Sequence, residues 1–540
     1  MREPRNGRSP ASSEHARRHS TQSAKRQNRT GTTGGRALLP APLLRSRRPS
    51  KYRRGFCMGM ITIVGLGPGR GAHLTREAWT IFESVSEVWL RTAHHPTVAA
   101  LPSHLTLNAF DEVYEWAEDF QQVYETISGR ILTLGRRPEG VIYGVPGHPL
   151  VGESTVQRIL EMAYKEEIDV RVVEGLSFIG PVLTALQIDA LAGLQIYDAL
   201  ALAAHYHPPL NPDCPTLLGQ LYSEALAADV KLALMNQYPD DHPVTLVHAA
   251  GTIDQRIIPL PLYAIDRRSE TGCLDHLTTL YVPSLPGVTS FEGFQETIAH
   301  LRAPEGCPWD REQTHESLRQ GLLEETYEVI AAIDDEDLTA LQEELGDLLL
   351  QVVLQTQIAT EEGTFKMRDV IAGIDAKLKR RHPHVWGGRA VNRTSEVLQR
   401  WEQLKQEERG SGRSALEGVP RALPALQQAD TYSRRASRVG FDWPHVNGVA
   451  DKVREEIAEV EAADTQAERE AEVGDLLFAV VNWARWLSVE PETALRKANA
   501  RFARRFHAME RMLEERGADM VQLTIDELEA LWQEAKRKTE

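Results

Sequence analysis

With 540 residues, 42% of them hydrophobic and 26% charged, the chain is too long for one core and too apolar to be disordered, so roughly three or four globular units are expected. Its net charge of −16 is uneven: residues 1–57 hold fifteen Lys/Arg against Glu3 and Glu14, which leaves 46 basic and 75 acidic residues in the remainder. So acidic a body argues against a nucleic-acid partner, the four cysteines lack disulfide or zinc spacing, and no apolar run reaches the roughly 18 to 20 residues of a membrane span; a soluble cytoplasmic protein is expected.

Residues 1–57 fit a transit peptide, a basic arm or sequence upstream of the true start. The last is favoured, because Met58 and Met60 stand just before the first strand-like run, Met60–Val64. That run leads into Gly65-Leu-Gly-Pro-Gly69, after which Leu74–Ala78 opens a helical pattern with Thr75 as its N-cap. A second run, Gly140–Tyr143, leads into Gly144-Val-Pro-Gly-His-Pro149 and a helical stretch over Ser154–Tyr164. Glycine lets a backbone approach a ligand closely, so two such loops after two strands can line one cleft. Val170–Val173, Lys231–Met235, Thr245–His248 and Arg256–Pro259 read as further strands, and the alternation predicts an α/β domain over 60–283.

These residues resemble the tetrapyrrole methylase family, in the YabN-like branch where such a domain precedes MazG repeats. The resemblance implies an S-adenosylmethionine pocket beside the loops, at Gly65, Gly67, Gly69, Gly144, Pro146, Gly147 and His148. The sequence departs from the family after the first loop, where Arg70-Gly71 replaces the usual acid. His148 is a candidate base, although a histidine between Gly and Pro more often shapes its turn; Glu153 and Glu174 are lesser candidates.

Beyond the linker Pro283–Thr289 the pattern changes to long acidic helices, and Arg409-Gly-Ser-Gly-Arg413 splits them into two parts, 290–408 and 425–540. The parts repeat one another. Leu323-Glu-Glu-Thr-Tyr-Glu-Val329 precedes Glu343-Glu-Leu-Gly-Asp-Leu-Leu349, and Arg454-Glu-Glu-Ile-Ala-Glu-Val460 precedes Glu472-Val-Gly-Asp-Leu-Leu477, with Glu328 to Glu344 sixteen residues apart and Glu459 to Glu472 thirteen. On helices, Glu456 with Glu459 and Glu472 with Asp475 each share a face, inside or beside the stripes Val453/Ile457/Val460 and Val473/Leu476/Val480. Four carboxylates are therefore expected to converge at the edge of a core. Clustered anions repel unless a cation neutralises them, and oxygen-only ligands suit Mg²⁺ or Mn²⁺ rather than zinc. Gly346 and Gly474 inside these helices suggest close packing. The repeat continues as Lys377–Arg381 with Arg501–Arg505, and as Trp401–Lys405 with Trp532–Lys536; a basic cluster binds polyphosphate and a tryptophan stacks on a base.

This combination resembles the MazG family of nucleotide pyrophosphohydrolases over nearly all of 290–540. The resemblance implies a helical bundle, commonly a homodimer, with Glu456, Glu459, Glu472 and Asp475 binding Mg²⁺ and Lys452, Arg501, Arg505 and Trp532 contacting a nucleoside triphosphate. Arg501 stands where the family often has lysine. The first repeat retains a second candidate set, Glu325, Glu328, Glu344 and Asp347 with Lys377, Arg381 and Trp401, and the second repeat is favoured as the active one. The expected fold class is multidomain: an α/β tetrapyrrole methylase-like domain followed by two all-α MazG-like repeats. The expected reaction is hydrolysis of an NTP or dNTP to monophosphate and pyrophosphate, with Glu455 or Glu459 taking the proton of water. Two alternatives concern the first domain, a methyltransferase with a regulatory helical half, or a ligand-binding module without catalysis.

Overall fold

The computed structural model describes residues 59–272, 274–386 and 414–539. The chain divides into two units, Met1–Glu296 and Thr297–Glu540. The readings of residues 1–57 and of Trp401 lie outside the described residues. Among the described residues no helix is long and apolar enough to cross a membrane.

The first unit contains two sheets. Strands β1 (Met60–Gly65), β2 (Glu87–Leu90), β3 (Thr106–Ala109), β4 (Val141–Val145) and β5 (Asp169–Val173) form a parallel sheet in the order β3-β2-β4-β1-β5. Strands β6 (Gln195–Asp198), β7 (Thr216–Gly219), β8 (Pro243–His248), β9 (Arg256–Pro261) and β10 (Thr278–Val282) form the second, in the order β6-β7-β10-β8-β9, antiparallel apart from β6–β7.

The parallel strands read as continuous apolar runs because both their faces are covered. Ile61 and Ile63 pack with Val123, Ile127 and Ile131 of α2 (Phe120–Gly135) and with Val156 and Ile159 of α3 (Ser154–Lys165). Val64 and Leu66 pack with Ala78 and Phe82 of α1 (Arg76–Ser84) on the other side. Each such buried Val, Leu, Ile or Phe side chain contributes about 1.5–3 kcal/mol. Thr75 caps α1 as expected, its Oγ1 accepting from the Ala78 N–H at 3.1 Å.

Lys231–Met235, read above as a strand, belongs instead to helix α4 (Glu224–Leu234) apart from its last residue. Ser223 caps that helix, accepting from the Leu226 N–H at 3.2 Å, and Leu226, Ala227, Val230, Ala233 and Leu234 bury one face. The helical period begins upstream of the five-residue run, which is too short to reveal it.

In the second unit, α5 (Arg319–Asp334) and α6 (Leu338–Glu361) form a helical hairpin, followed by α7 (Met367–Arg381). The pattern recurs as α8 (Val446–Ala462) with α9 (Gln466–Trp486), then α10 (Pro491–Arg516) and α11 (Ile525–Thr539). Asp337 caps α6 through the Thr339 and Ala340 N–H groups, and a Thr465/Glu468 capping box starts α9. Asp334 of the first hairpin pairs with Arg496 at 3.0 Å and Lys497 at 3.6 Å, which ties the repeats together. Gly346 and Gly474 do not mark close packing: a Cβ at either meets nothing within 4 Å. Nor are the expected apolar stripes fully buried, because Ile457, Val473 and Val480 are each more than a third exposed.

Candidate functional site

The short α8–α9 connection brings the acids of one helix against those of the next. Oxygens of Glu456, Glu459 and Glu472 lie within 4.8 Å of one another; Asp475, exposed on α9, stands outside this group. Glu456 is 4% exposed, and its Oε2 is buried without a hydrogen-bond partner. Its other oxygen accepts from Lys452 Nζ at 2.8 Å, and the same ammonium reaches Glu455 Oε1 at 2.9 Å. Those contacts, with Glu456 first, hold the Lys452 pKa above its ordinary value. Glu459 is pushed up, first by lost hydration and then by Glu456, Glu472 and Glu455, against the pull of Lys452.

The first repeat builds the related group Glu325, Glu344 and Asp347, again within 4.8 Å. Glu328 stands outside those three but close by, near enough to raise the pKa of Glu325. Lost hydration and then Asp347 and Glu328 raise the pKa of Glu325; lost hydration, Glu328 and Asp347 do the same for Glu344. Such self-repulsion is relieved by binding a cation or a proton.

Arg505 and Trp532 form a second cluster, on α10 and α11. The Arg505 guanidinium lies 6.0 Å from the Trp532 ring centre, Phe502 stands 5.2 Å from Trp532, and Phe506 stacks on Phe502 at 5.9 Å. Arg501 is exposed on the same helix. In the first repeat Lys377 is exposed on α7, and Arg381 closes that helix.

In the α/β unit the two glycine loops do meet. Gly67 and Gly147 form a bridge, with the Gly67 N–H donating to the Gly147 carbonyl at 3.2 Å and the Gly147 N–H to the Gly67 carbonyl at 2.9 Å. Both have positive φ, +71° and +65°. The loops follow β1 and β4 at the carboxyl edge of the sheet, where open α/β sheets bind ligands. Beside them is a cavity of about 110 Å³. Pro146 and Gly147 line it, whereas Gly65, Gly67, Gly69, Gly144 and His148 are not in its wall. His148 turns its Nδ1 to the Leu150 N–H at 3.1 Å and shapes the loop.

The cavity wall contains Glu153, one of the lesser candidates, which reaches groups behind the wall that no motif singles out. Glu153 is buried, its Oε2 2.5 Å from Arg91 Nη1; Arg91 Nε donates to the Tyr114 hydroxyl at 2.8 Å. Burial opposes charge on Arg91, but Glu153 and Tyr114 outweigh it and raise its pKa; burial raises that of Glu153 against the pull of Arg91. His95 and His276 also line the cavity. The sequence signal for Arg91 is its place directly after a strand, β2.

Comparison with known proteins joins these observations. A family model described as MazG nucleotide pyrophosphohydrolase domain matches residues 313–386, and one described as tetrapyrrole (corrin/porphyrin) methylases matches 60–266. The uncharacterized protein YabN of Bacillus subtilis is 40% identical over 488 residues, 88% of this chain and 98% of that protein. The chain belongs to the YabN-like branch of the MazG family. Its MazG half is 50% identical over 249 residues to the nucleoside triphosphate pyrophosphohydrolase of Escherichia coli, 45% of this chain and 95% of the relative. Thermotoga maritima nucleoside triphosphate pyrophosphohydrolase/pyrophosphatase MazG is 45% identical over 247 residues, 46% of this chain and 95% of the relative. The chain is multidomain, an α/β methylase-like region followed by the helical MazG region.

Proposed function

We propose that this YabN-like chain is a divalent-cation-dependent nucleoside triphosphate pyrophosphohydrolase, converting an NTP or dNTP and water to the monophosphate and pyrophosphate in nucleotide-pool house-cleaning in the cytoplasm. The observation that carries this reading is the buried Glu456, with an unpaired oxygen, in contact range of Glu459 and Glu472. The residues fit Mg²⁺ or Mn²⁺: the donors are all oxygens, and Glu456 has one without a partner. When bound, the cation would neutralise phosphate charge and lower the pKa of water. Glu456, Glu459 and Glu472 would hold it, with Asp475 joining from the next turn of α9. Lys452, Arg501 and Arg505 would bind the phosphates, and Trp532 the base. Glu455 or Glu459 would accept the proton of the attacking water. The second repeat is the preferred centre because its cluster has a lysine, Lys452, in place to pass to a phosphate, where the first repeat has Gly321; Glu325, Glu328, Glu344 and Asp347 with Lys377, Arg381 and Trp401 are a second candidate set. The domain limits 60–283, 290–408 and 425–540, and assembly as a homodimer, belong to the same proposal.

The test is pyrophosphate release from a panel of NTPs and dNTPs with Mg²⁺. Glu459→Ala/Asp475→Ala is expected to lower turnover by at least about 100-fold, the scale of removing positioned charge stabilisation. Glu328→Ala/Asp347→Ala is expected to retain most of it. Unchanged turnover in both double variants would remove the carboxylate model.

For the α/β domain, the cavity beside Gly147 supports S-adenosylmethionine binding, because a Cβ at Gly147 would meet nothing within 4 Å and bare backbone faces the space. When bound, that cofactor would supply a transferable methyl group. Calorimetric titration separates methyl-donor binding from a ligand module of another kind: absence of heat with S-adenosylmethionine and S-adenosylhomocysteine would sink the methylase reading.

A further inference from the structure

The two carboxylate clusters differ in what supplies their counter-charge. Superposing the repeats through Glu325/Glu456 and Asp347/Asp475 sets Gly321 opposite Lys452 and Gln351 opposite Ala479. In the second repeat the Lys452 ammonium sits between Glu455 and Glu456, at 2.9 and 2.8 Å. In the first, no lysine stands at that position. Gln351, 7% exposed, fills the space instead: its Nε2 is 3.0 Å from where a Cβ on Gly321 would lie, it stands close enough to Glu325 to lower that acid's pKa, and its Oε1 is buried without a partner. Beside its carboxylates the first cluster thus has a neutral amide in place of an ammonium, with a buried oxygen that lacks a partner.

From these contacts we propose that Lys452 is a nucleotide-released plug. In the free protein its ammonium neutralises Glu455 and Glu456, so the second cluster takes up a divalent cation together with the nucleotide. The first cluster, where Gly321 takes the place of that lysine, binds a divalent cation without nucleotide. The inference rests on the second cluster being the pyrophosphohydrolase centre, and it deepens that reading. An incoming dication and a lysine ammonium about 4 Å apart repel enough to weaken cation binding at least about 10-fold even at the dielectric constant of water. A triphosphate reverses the balance, because it offers the ammonium charge-assisted hydrogen bonds of its own and leaves the carboxylates free.

The experiment titrates Mn²⁺ into the full chain and follows free Mn²⁺ by electron paramagnetic resonance, with and without α,β-methylene-ATP, which resists cleavage at the α–β bridge. Wild type is expected to show a tight site without nucleotide, lost in Glu325→Gln/Asp347→Asn. A further site is expected with the analogue, lost in Glu456→Gln/Glu472→Gln. Lys452→Met should give that further site without the analogue, at least about 10-fold tighter than in wild type, while Lys452→Arg should behave as wild type. Circular dichroism identifies any variant that fails to fold, and Lys452→Met with Lys452→Arg then decides without the multiple variants. Equal Mn²⁺ affinity of the second cluster in free wild type and Lys452→Met overturns the plug. A nucleotide-independent site that survives Glu325→Gln/Asp347→Asn overturns the first-cluster assignment. Pyrophosphate release measured on the same wild-type preparation keeps the two failures apart: no release from any NTP defeats the enzymatic reading, whereas release with an unaltered Mn²⁺ pattern defeats only the plug.

Discussion

The His95 imidazole is 4% exposed, and its Nδ1 has no hydrogen-bond partner. Burial first, and then neighbouring His276, lower its pKa to about 4. In the unfolded chain the same ring titrates near 6.5, so between those values the unfolded state binds more protons and stability rises with pH. The contribution is fully present above about pH 6.5 and is lost as pH falls through about 4, amounting to about 3 kcal/mol. Chemical denaturation of wild type and His95→Gln at intervals from pH 7.5 to 4.5 measures it. His95→Gln should show the shallower fall with acid, and parallel curves would show that the ring is not held neutral. Such surroundings were not legible in the sequence. His95 belongs to no motif, and Arg91 and Glu153 are separated by many residues before β2 and α3 bring them together. The acids of the repeats were legible, because helical spacing alone puts Glu456 and Glu459 on one face. Which of them is buried was not, since that depends on Lys452 and the packing of α9.

The elements that the sequence announced most clearly were those with their own punctuation: Thr75 before α1, and glycine loops after β1 and β4. Lys231–Met235 went astray because a short apolar run carries no period. The two loops also contain glycines with different duties. A Cβ at Gly65 would lie 2.6 Å from Gly175 Cα and 2.7 Å from the Gly147 carbonyl, so Gly65 permits the close approach of loop to loop. Gly147 has open space around its would-be Cβ, and only its φ of +65° disfavours a side chain. Gly65→Ala should therefore destabilise the α/β unit by about 2–3 kcal/mol through overpacking. Gly147→Ala should cost about 1 kcal/mol for the left-handed backbone and narrow the cavity. Thermal unfolding of the two variants checks the order. A Gly147→Ala penalty equal to or above that of Gly65→Ala would mean that the loops do not pack in this way.

At the scale of the whole molecule, the helical unit leaves large apolar side chains on its surface. Val473, Leu477, Val480 and Trp483 recur at helical spacing along α9, and each is more than a third exposed. Ile457 on α8 and Phe478 on α9 are similarly exposed beside the carboxylate-bearing turns. Exposed apolar side chains grouped along one helix are costly in water and suit an interaction surface, and a stable association between copies would bury about 1,200–2,000 Å² in total. The proposed homodimer uses it. Sedimentation equilibrium of wild type should give twice the chain mass. Leu477→Glu/Val480→Glu places charges in the middle of the stripe without touching Glu456, Glu459 or Glu472, and should shift the equilibrium towards monomer by at least about 100-fold, as buried unpaired charges cost several kcal/mol. If the dimer also orders α8 against α9, pyrophosphate release should fall together with dimer content and recover at higher protein concentration. A wild-type monomer, or a dimer indifferent to both charges, would move the contact off this face.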